Sequence, residues 1–225
     1  MNFLDMYRSR VFPLLAGGAW ITFLFLDVTN RADSVWVKFA AICLCGFTAL
    51  LGARTADGRL VAAALCFTVA ADWFLLVLND RYLAGVGLFL IVQGLYAVRI
   101  YRLRGFRPCP WGLAVRAVLL FLCAGFAAAE PSLLPLWAVL LYFSNLCINT
   151  AEAFALGKSQ RIFAMGLLLF VCCDVCVGGW NISLFLPPAL AESARVGMWL
   201  FYLPSQVLIV LSQEQEKRSF DEKTV

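Results

Sequence analysis

Along this chain the apolar positions come in long runs, each closed by charged residues or by Gly and Pro. A run of about 17–25 apolar residues is what a helix needs to cross the hydrocarbon layer of a bilayer. Eight such helices are predicted, over Phe12–Leu26, Val35–Ala53, Leu60–Leu78, Tyr82–Tyr101, Gly112–Ala129, Leu133–Ala155, Ile162–Trp180 and Ser193–Leu211. The turns between them are short, so sequential helices are expected to be antiparallel neighbours. The first run follows Arg8 and Arg10 but has no small-residue cleavage site, and reads as a retained span. The predicted fold is an all-α membrane protein: one eight-helix transmembrane domain over residues 1–212, then a short charged tail over 213–225.

Composition sharpens this. Of 225 residues 63% are hydrophobic and only 14% charged, with a mean hydropathy of +0.85. Soluble domains carry about 25% charged residues, so lipid must be the solvent for most of this surface. Disorder, a disulfide scaffold and a soluble nucleic-acid binder are excluded together. Of nine cysteines only Cys109 falls in a loop; the others lie within spans, where a thiol behaves as a small hydrophobe. Cys172, Cys173 and Cys176 have no further ligands near them in sequence, so no metal and no cofactor is expected. The chain has no histidine. That removes imidazole bases, Ser-His-Asp triads and His-ligated zinc, and leaves carboxylates for any proton chemistry.

Charge gives an expected orientation. With the N-terminus inside, fourteen of the eighteen Lys and Arg residues fall in inner segments, three (Arg31, Arg81, Arg195) in outer loops, and Lys38 within a span. Such a bias places both termini in the cytoplasm. The run from Arg99 to Arg107 reads mainly as part of that topogenic signal.

Ionisable groups at membrane depth are costly and point to function. Asp72 on helix three and Asp174 on helix seven each precede the expected outer end by six residues, roughly 9 Å at 1.5 Å per residue. Two carboxylates at one depth are expected to share a cavity. Lys38, near the outer end of helix two, is placed to pair with one of them. Tyr142, Asn145, Asn149 and Glu152 form a polar stripe along helix six. Gln93 and Tyr96 lie three apart on helix four, and Tyr202 and Gln206 share a face of helix eight. Asp72 followed by Gln93, and Asp174 followed by Gln206, hint at two four-helix halves repeated in parallel.

These stretches resemble the YhhN-like lysoplasmalogenase family of integral membrane proteins. "ALCFTVAADWFLLVLNDRYLAGVGLFLIVQGLYAVRIYR" is similar to the family's aspartate block, with Asp72, Gly87, Phe89 and Tyr96 in place. "MGLLLFVCCDVCVG" is similar to its later block, supplying Gly166, Phe170 and Asp174. "WVKFAAI" resembles the early lysine motif through Lys38, and "WLFYLPSQVLIVLS" the last span through Tyr202, Gln206 and Ser212. The chain departs from the family pattern at Gln93, often histidine there, at Phe39 for proline, and at Cys173 for serine.

The resemblance implies hydrolysis of the vinyl-ether bond of lysoplasmalogens to a fatty aldehyde and a glycerophospho-headgroup. A vinyl ether has no carbonyl to attack; it is cleaved by protonating the alkene carbon, after which water captures the oxocarbenium ion. That requires one protonated carboxyl and one carboxylate, a division that low dielectric and two neighbouring carboxyls favour. Asp72 and Asp174 would be the catalytic pair, as in glycosidases, with Lys38, Gln93, Tyr96, Asn145, Asn149, Tyr202 and Gln206 binding or positioning substrate. The expected partners are a lysophospholipid and membrane lipid, not nucleic acid, with room for a homo-oligomer. The expected place is a multi-pass position in a membrane, in a bacterium the cell membrane. The alternative is a non-catalytic, proton-coupled carrier of a small molecule or lipid.

Overall fold

A computed structural model describes residues 6–29 and 31–213; the expected tail lies outside the described residues except for Gln213. Eight long helices and no strand are present among the described residues. They are α1 (Phe12–Thr29), α2 (Val35–Leu51), α3 (Ala56–Asp72), α4 (Tyr82–Leu103), α5 (Pro110–Ala129), α6 (Leu134–Phe154), α7 (Arg161–Asn181) and α8 (Pro188–Leu211). A π-helical turn, Tyr7–Val11, leads into α1, and a second, Trp73–Val77, continues α3 directly after Asp72. Seven of the helical stretches are long and apolar enough to cross a membrane; α2, at 17 residues, is the shorter apolar one. The bundle is thus built as a multi-pass membrane protein is.

Of the predicted helix starts the largest departure is at α8, which begins at Pro188 rather than Ser193. Proline is well placed at a helix start because the N–H it lacks has no intrahelical acceptor there. Pro110 opens α5 in the same way. Pro204 is different, because it lies inside α8. Without an N–H it cannot donate to the carbonyl of Leu200 four residues back, and in a membrane a bare carbonyl is expensive. The Trp20 indole on α1 donates to that carbonyl at 3.3 Å, and α8 continues unbroken.

Two polar clusters identify the ends of the bundle. At the near face, where α1 begins, Arg8 donates to Gln213 Oε1 at 2.6 Å and to the Val210 carbonyl at 3.1 Å. Gln213 in turn donates to the Ala49 and Gly58 carbonyls. These bonds tie α8 to α1, α2 and α3. At the far face, Arg195 on α8 donates to the Asp27 carbonyl of α1 at 2.9 Å. Between the faces, α7 and α8 pack closest because glycines let them. A Cβ at Gly166 would sit 2.8 Å from Ile209 Cγ1 and 3.1 Å from the Ser205 carbonyl oxygen. One at Gly197 would sit 2.8 Å from Cys176 Sγ.

Candidate active site

Asp72 closes α3 at the point where the helix widens into its π turn. Such turns shift side chains off the regular helical register and recur at functional sites. Its carboxyl is buried at 5% exposure and accepts a hydrogen bond from the Tyr202 hydroxyl of α8 at 2.7 Å, on Oδ2. Asp174, on α7, accepts from the Tyr142 hydroxyl of α6 at 2.6 Å, also on Oδ2. Each carboxyl therefore has a phenol as its hydrogen-bonding protein partner.

Aromatic rings connect the two pairs. Tyr202 contacts Phe170 (5.6 Å between centroids), Phe170 contacts Phe89 (5.7 Å), and Phe89 contacts Tyr142 (5.6 Å). The two carboxyl–phenol pairs thus lie at the two ends of one chain of aromatic contacts within the packing of α3, α4, α6, α7 and α8. The helices that hold them are not equivalent under a four-helix repeat. Asp72 of helix three is held from helix eight, whereas Asp174 of helix seven is held from helix six, so the pairing does not follow the expected halves.

Lys38 is not bound to either aspartate. Its Nζ contacts both carboxyl oxygens of Asp27 on α1, at 2.9 and 2.8 Å, and Ser34 donates to the same carboxyl. Asp27 falls one residue past the expected end of helix one, which made it read as a loop residue; α1 extends to Thr29 and buries it. Lys38 still reaches the site indirectly, since its Nζ lies 4.5 Å from the centre of the Trp199 ring, which contacts Tyr202 edge-on at 5.5 Å.

The stripe on α6 is present, but its members divide. Tyr142 serves Asp174. Asn145, Asn149 and Glu152 instead enclose Arg116 of α5. Arg116 makes a forked pair with Glu152 (3.0 Å on each arm) and donates to Asn149 Oδ1 at 2.8 Å and Asn145 Oδ1 at 3.2 Å. Glu152 can approach α5 only because residue 112 is glycine; a Cβ there would collide with Glu152 Oε1. Asn149 also donates to both the side-chain and main-chain oxygens of Gln93 at 2.9 Å. Asn145, Asn149 and Gln93 thus belong to a charge-anchored network between α4, α5 and α6. Arg116 had been counted as a cytoplasmic charge, although it lies four residues inside the predicted fifth helix opposite the stripe; that position was the available signal.

Arg99 is a second correction. Expected in the cytoplasmic cluster, it is 1% exposed and grips Asp57 of α3 with two 2.7 Å bonds. It also donates to Ser212 at 2.8 Å and lies over the Phe163 ring at 4.2 Å. Tyr96, packed against Phe163, is fully buried, and its hydroxyl has no protein partner. Gln206 is buried beside Ser205, one turn from Tyr202.

The profile of the YhhN family matches residues 33–213, from just before α2 to the end of α8. The chain belongs to the YhhN family. No curated protein and no solved structure matches it. Both aspartates of this YhhN protein, with Tyr142 and Tyr202, lie inside the matched segment, as do Lys38, Gln93, Tyr96, Asn145, Asn149 and Gln206.

Proposed function

We propose that this YhhN-family protein is a lysoplasmalogenase-type hydrolase that cleaves the vinyl-ether bond of lysoplasmalogens, releasing a fatty aldehyde and a glycerophospho-headgroup. The observation that carries the reading is the pair of carboxyls, buried Asp72 and half-buried Asp174, each hydrogen-bonded by a neutral phenol and linked by a chain of aromatic contacts. A phenol orients a carboxyl without demanding that it be charged, unlike a cation. One carboxyl can then carry the proton that the alkene carbon needs, and the other can serve as the carboxylate. The rings of Phe89 and Phe170 suit an alkenyl chain, which offers no polar group.

In this reading the substrate is a single-chain phospholipid reaching the site from the bilayer, both termini are cytoplasmic, and the aspartates lie toward the outer leaflet. The lysine and arginine bias supports that orientation. The unbroken course of α8 through Pro204 favours the enzyme over the carrier, which would be expected to have a broken helix near its binding site.

The test is direct. Purified protein is incubated with a lysoplasmalogen and, separately, with the matching ester-linked lysolipid. The expected result is free aldehyde from the first and no fatty acid from the second. Fatty acid from the ester, or no product from either, would refute the proposal.

A further inference from the structure

One turn from the Asp72–Tyr202 bond, toward the near face, lie two polar side chains that the site as described leaves unused. Thr68 precedes Asp72 by four residues on α3, and Gln206 follows Tyr202 by four on α8. A four-residue step returns to the same helix face about 6 Å along the axis. The Asp72–Tyr202 hydrogen bond holds these two faces together, and the helices run in opposite directions. Thr68 and Gln206 therefore come to one level, on facing sides.

Both residues are 0% exposed, and neither Thr68 Oγ1 nor Gln206 Oε1 has a protein hydrogen-bond partner. A helical threonine in a membrane ordinarily donates to the carbonyl one turn back, as Thr48 does to Leu44 (2.8 Å) and Thr150 to Leu146 (2.7 Å). Thr68 does not. The Gln206 amide is oriented by its Nε2, which donates to Ser205 Oγ at 3.3 Å and leaves Oε1 as the free acceptor. Above them, Tyr202 takes only one oxygen of Asp72. A hydroxyl and an amide oxygen buried without protein partners, one turn below a carboxyl of which Tyr202 takes only one oxygen, supply the two to four polar partners that a buried water requires.

We propose that Thr68 and Gln206 hold the hydrolytic water beneath Asp72, which makes Asp72 the base and Asp174 the acid. This rests on the vinyl-ether reading above. Asp174 is the more accessible of the two carboxyls, half-buried where Asp72 is buried, and so stands on the substrate side. The Asp174 carboxyl gives its proton to the alkene carbon, forming a C–H bond and an oxocarbenium ion. The water oxygen bonds to the cationic carbon while Asp72 takes a water proton, giving a hemiacetal. On collapse, the hemiacetal hydroxyl returns its proton to Asp174. The C–O bond to glycerol breaks, and Asp72 protonates the leaving oxygen. Both carboxyls are restored, and vinyl ether plus water has become aldehyde plus alcohol.

The experiment adds methanol as a competing nucleophile to the purified full-length protein with lysoplasmalogen. Water capture yields aldehyde, and methanol capture yields a stable mixed acetal. Thr68→Val keeps the shape without the hydroxyl, and Gln206→Leu removes the amide; each is expected to raise the acetal-to-aldehyde ratio several-fold. Thr68→Ser, which restores the hydroxyl, is expected to keep the wild-type ratio. A merely structural role would change the amount of product and not this ratio, and the two sites are independent if one variant folds poorly. A wild-type ratio in an active Thr68→Val or Gln206→Leu protein overturns the water site while leaving the vinyl-ether reading intact. Absence of aldehyde from the wild-type protein overturns both.

Discussion

Among the described residues Asp27, Asp57, Asp72 and Glu152 are buried and Asp174 is half-buried, and these acids fall into two groups. Asp27, Asp57 and Glu152 each receive a cation: Lys38, Arg99 and Arg116. Asp72 and Asp174 each receive a phenol. Removing one partner of a buried ion pair leaves the other as an uncompensated buried charge. The pairs serve to join helices: α1 to α2, α3 to α4, and α5 to α6. A phenol donates one hydrogen bond and carries no charge, so the carboxyl can gain or lose a proton without stranding a partner. Acidic side chains are thus fastened by a cation where helices are joined, and held by a neutral phenol at the candidate site.

Several measurements would break or sharpen that division. The largest effect is expected from Asp72→Asn and Asp174→Asn, each abolishing aldehyde release while the detergent-purified protein keeps its elution profile and melting temperature. General acid–base catalysis is worth about 10²–10⁴-fold, so a two-fold loss in either variant would remove that residue from proton transfer. The opposite behaviour is expected of the joints. Arg99→Met leaves Asp57 buried without a cation and should cost about 3–5 kcal/mol of stability, read as a large fall in melting temperature. If Arg99→Met melted like the wild type, the cation-bound group would lose its structural role.

Next in size is Gly166→Val, which places carbon against Ile209 and the Ser205 carbonyl. Separating α7 from α8 should cost about 1–3 kcal/mol and move Asp174 relative to Tyr202, lowering stability and activity together. Tyr202→Phe and Tyr142→Phe remove one hydrogen bond to a carboxyl each. At about 1.5–3 kcal/mol for a bond to a charged group, each should slow turnover roughly ten-fold or more without unfolding the protein. Unchanged turnover in both would mean that the phenols merely pack. The smallest effect is expected from Trp20→Phe, which leaves the Leu200 carbonyl unpaired next to Pro204 and should cost about 1–3 kcal/mol, with activity preserved once the protein is folded.

The helices were legible in the sequence because hydrocarbon demands the same thing of every span, an apolar run about 20 residues long. The aspartates were legible for the converse reason, since a carboxyl in such a run is costly enough to be noticed. The α6 stripe was legible from its spacing. The partners were not. Lys38 reads equally well beside Asp72 or Asp174, and Asp27 lay one residue past an apolar run, where helix ends are least sharply marked. Arg99 and Arg116 read as inner-side charges near helix ends, because a Lys/Arg tally sees how many charges lie near a helix end and not which way each side chain turns.

What the sequence by itself determined is therefore one-dimensional: eight apolar segments, their alternating direction, and the places of Asp72 and Asp174 along two of them. These follow from composition along the chain and a fixed rise per residue. Only the tertiary structure decided which helix faces meet, because that depends on close contacts between distant segments, such as Gly166 against Ile209 and Gly112 against Glu152. Those contacts turn Tyr202 and Tyr142 toward the aspartates and set Lys38, Arg99 and Arg116 on other acids. The division between joints and site is thus a property of the packed bundle, in which a hydrogen bond forms only where two particular faces come within about 3 Å.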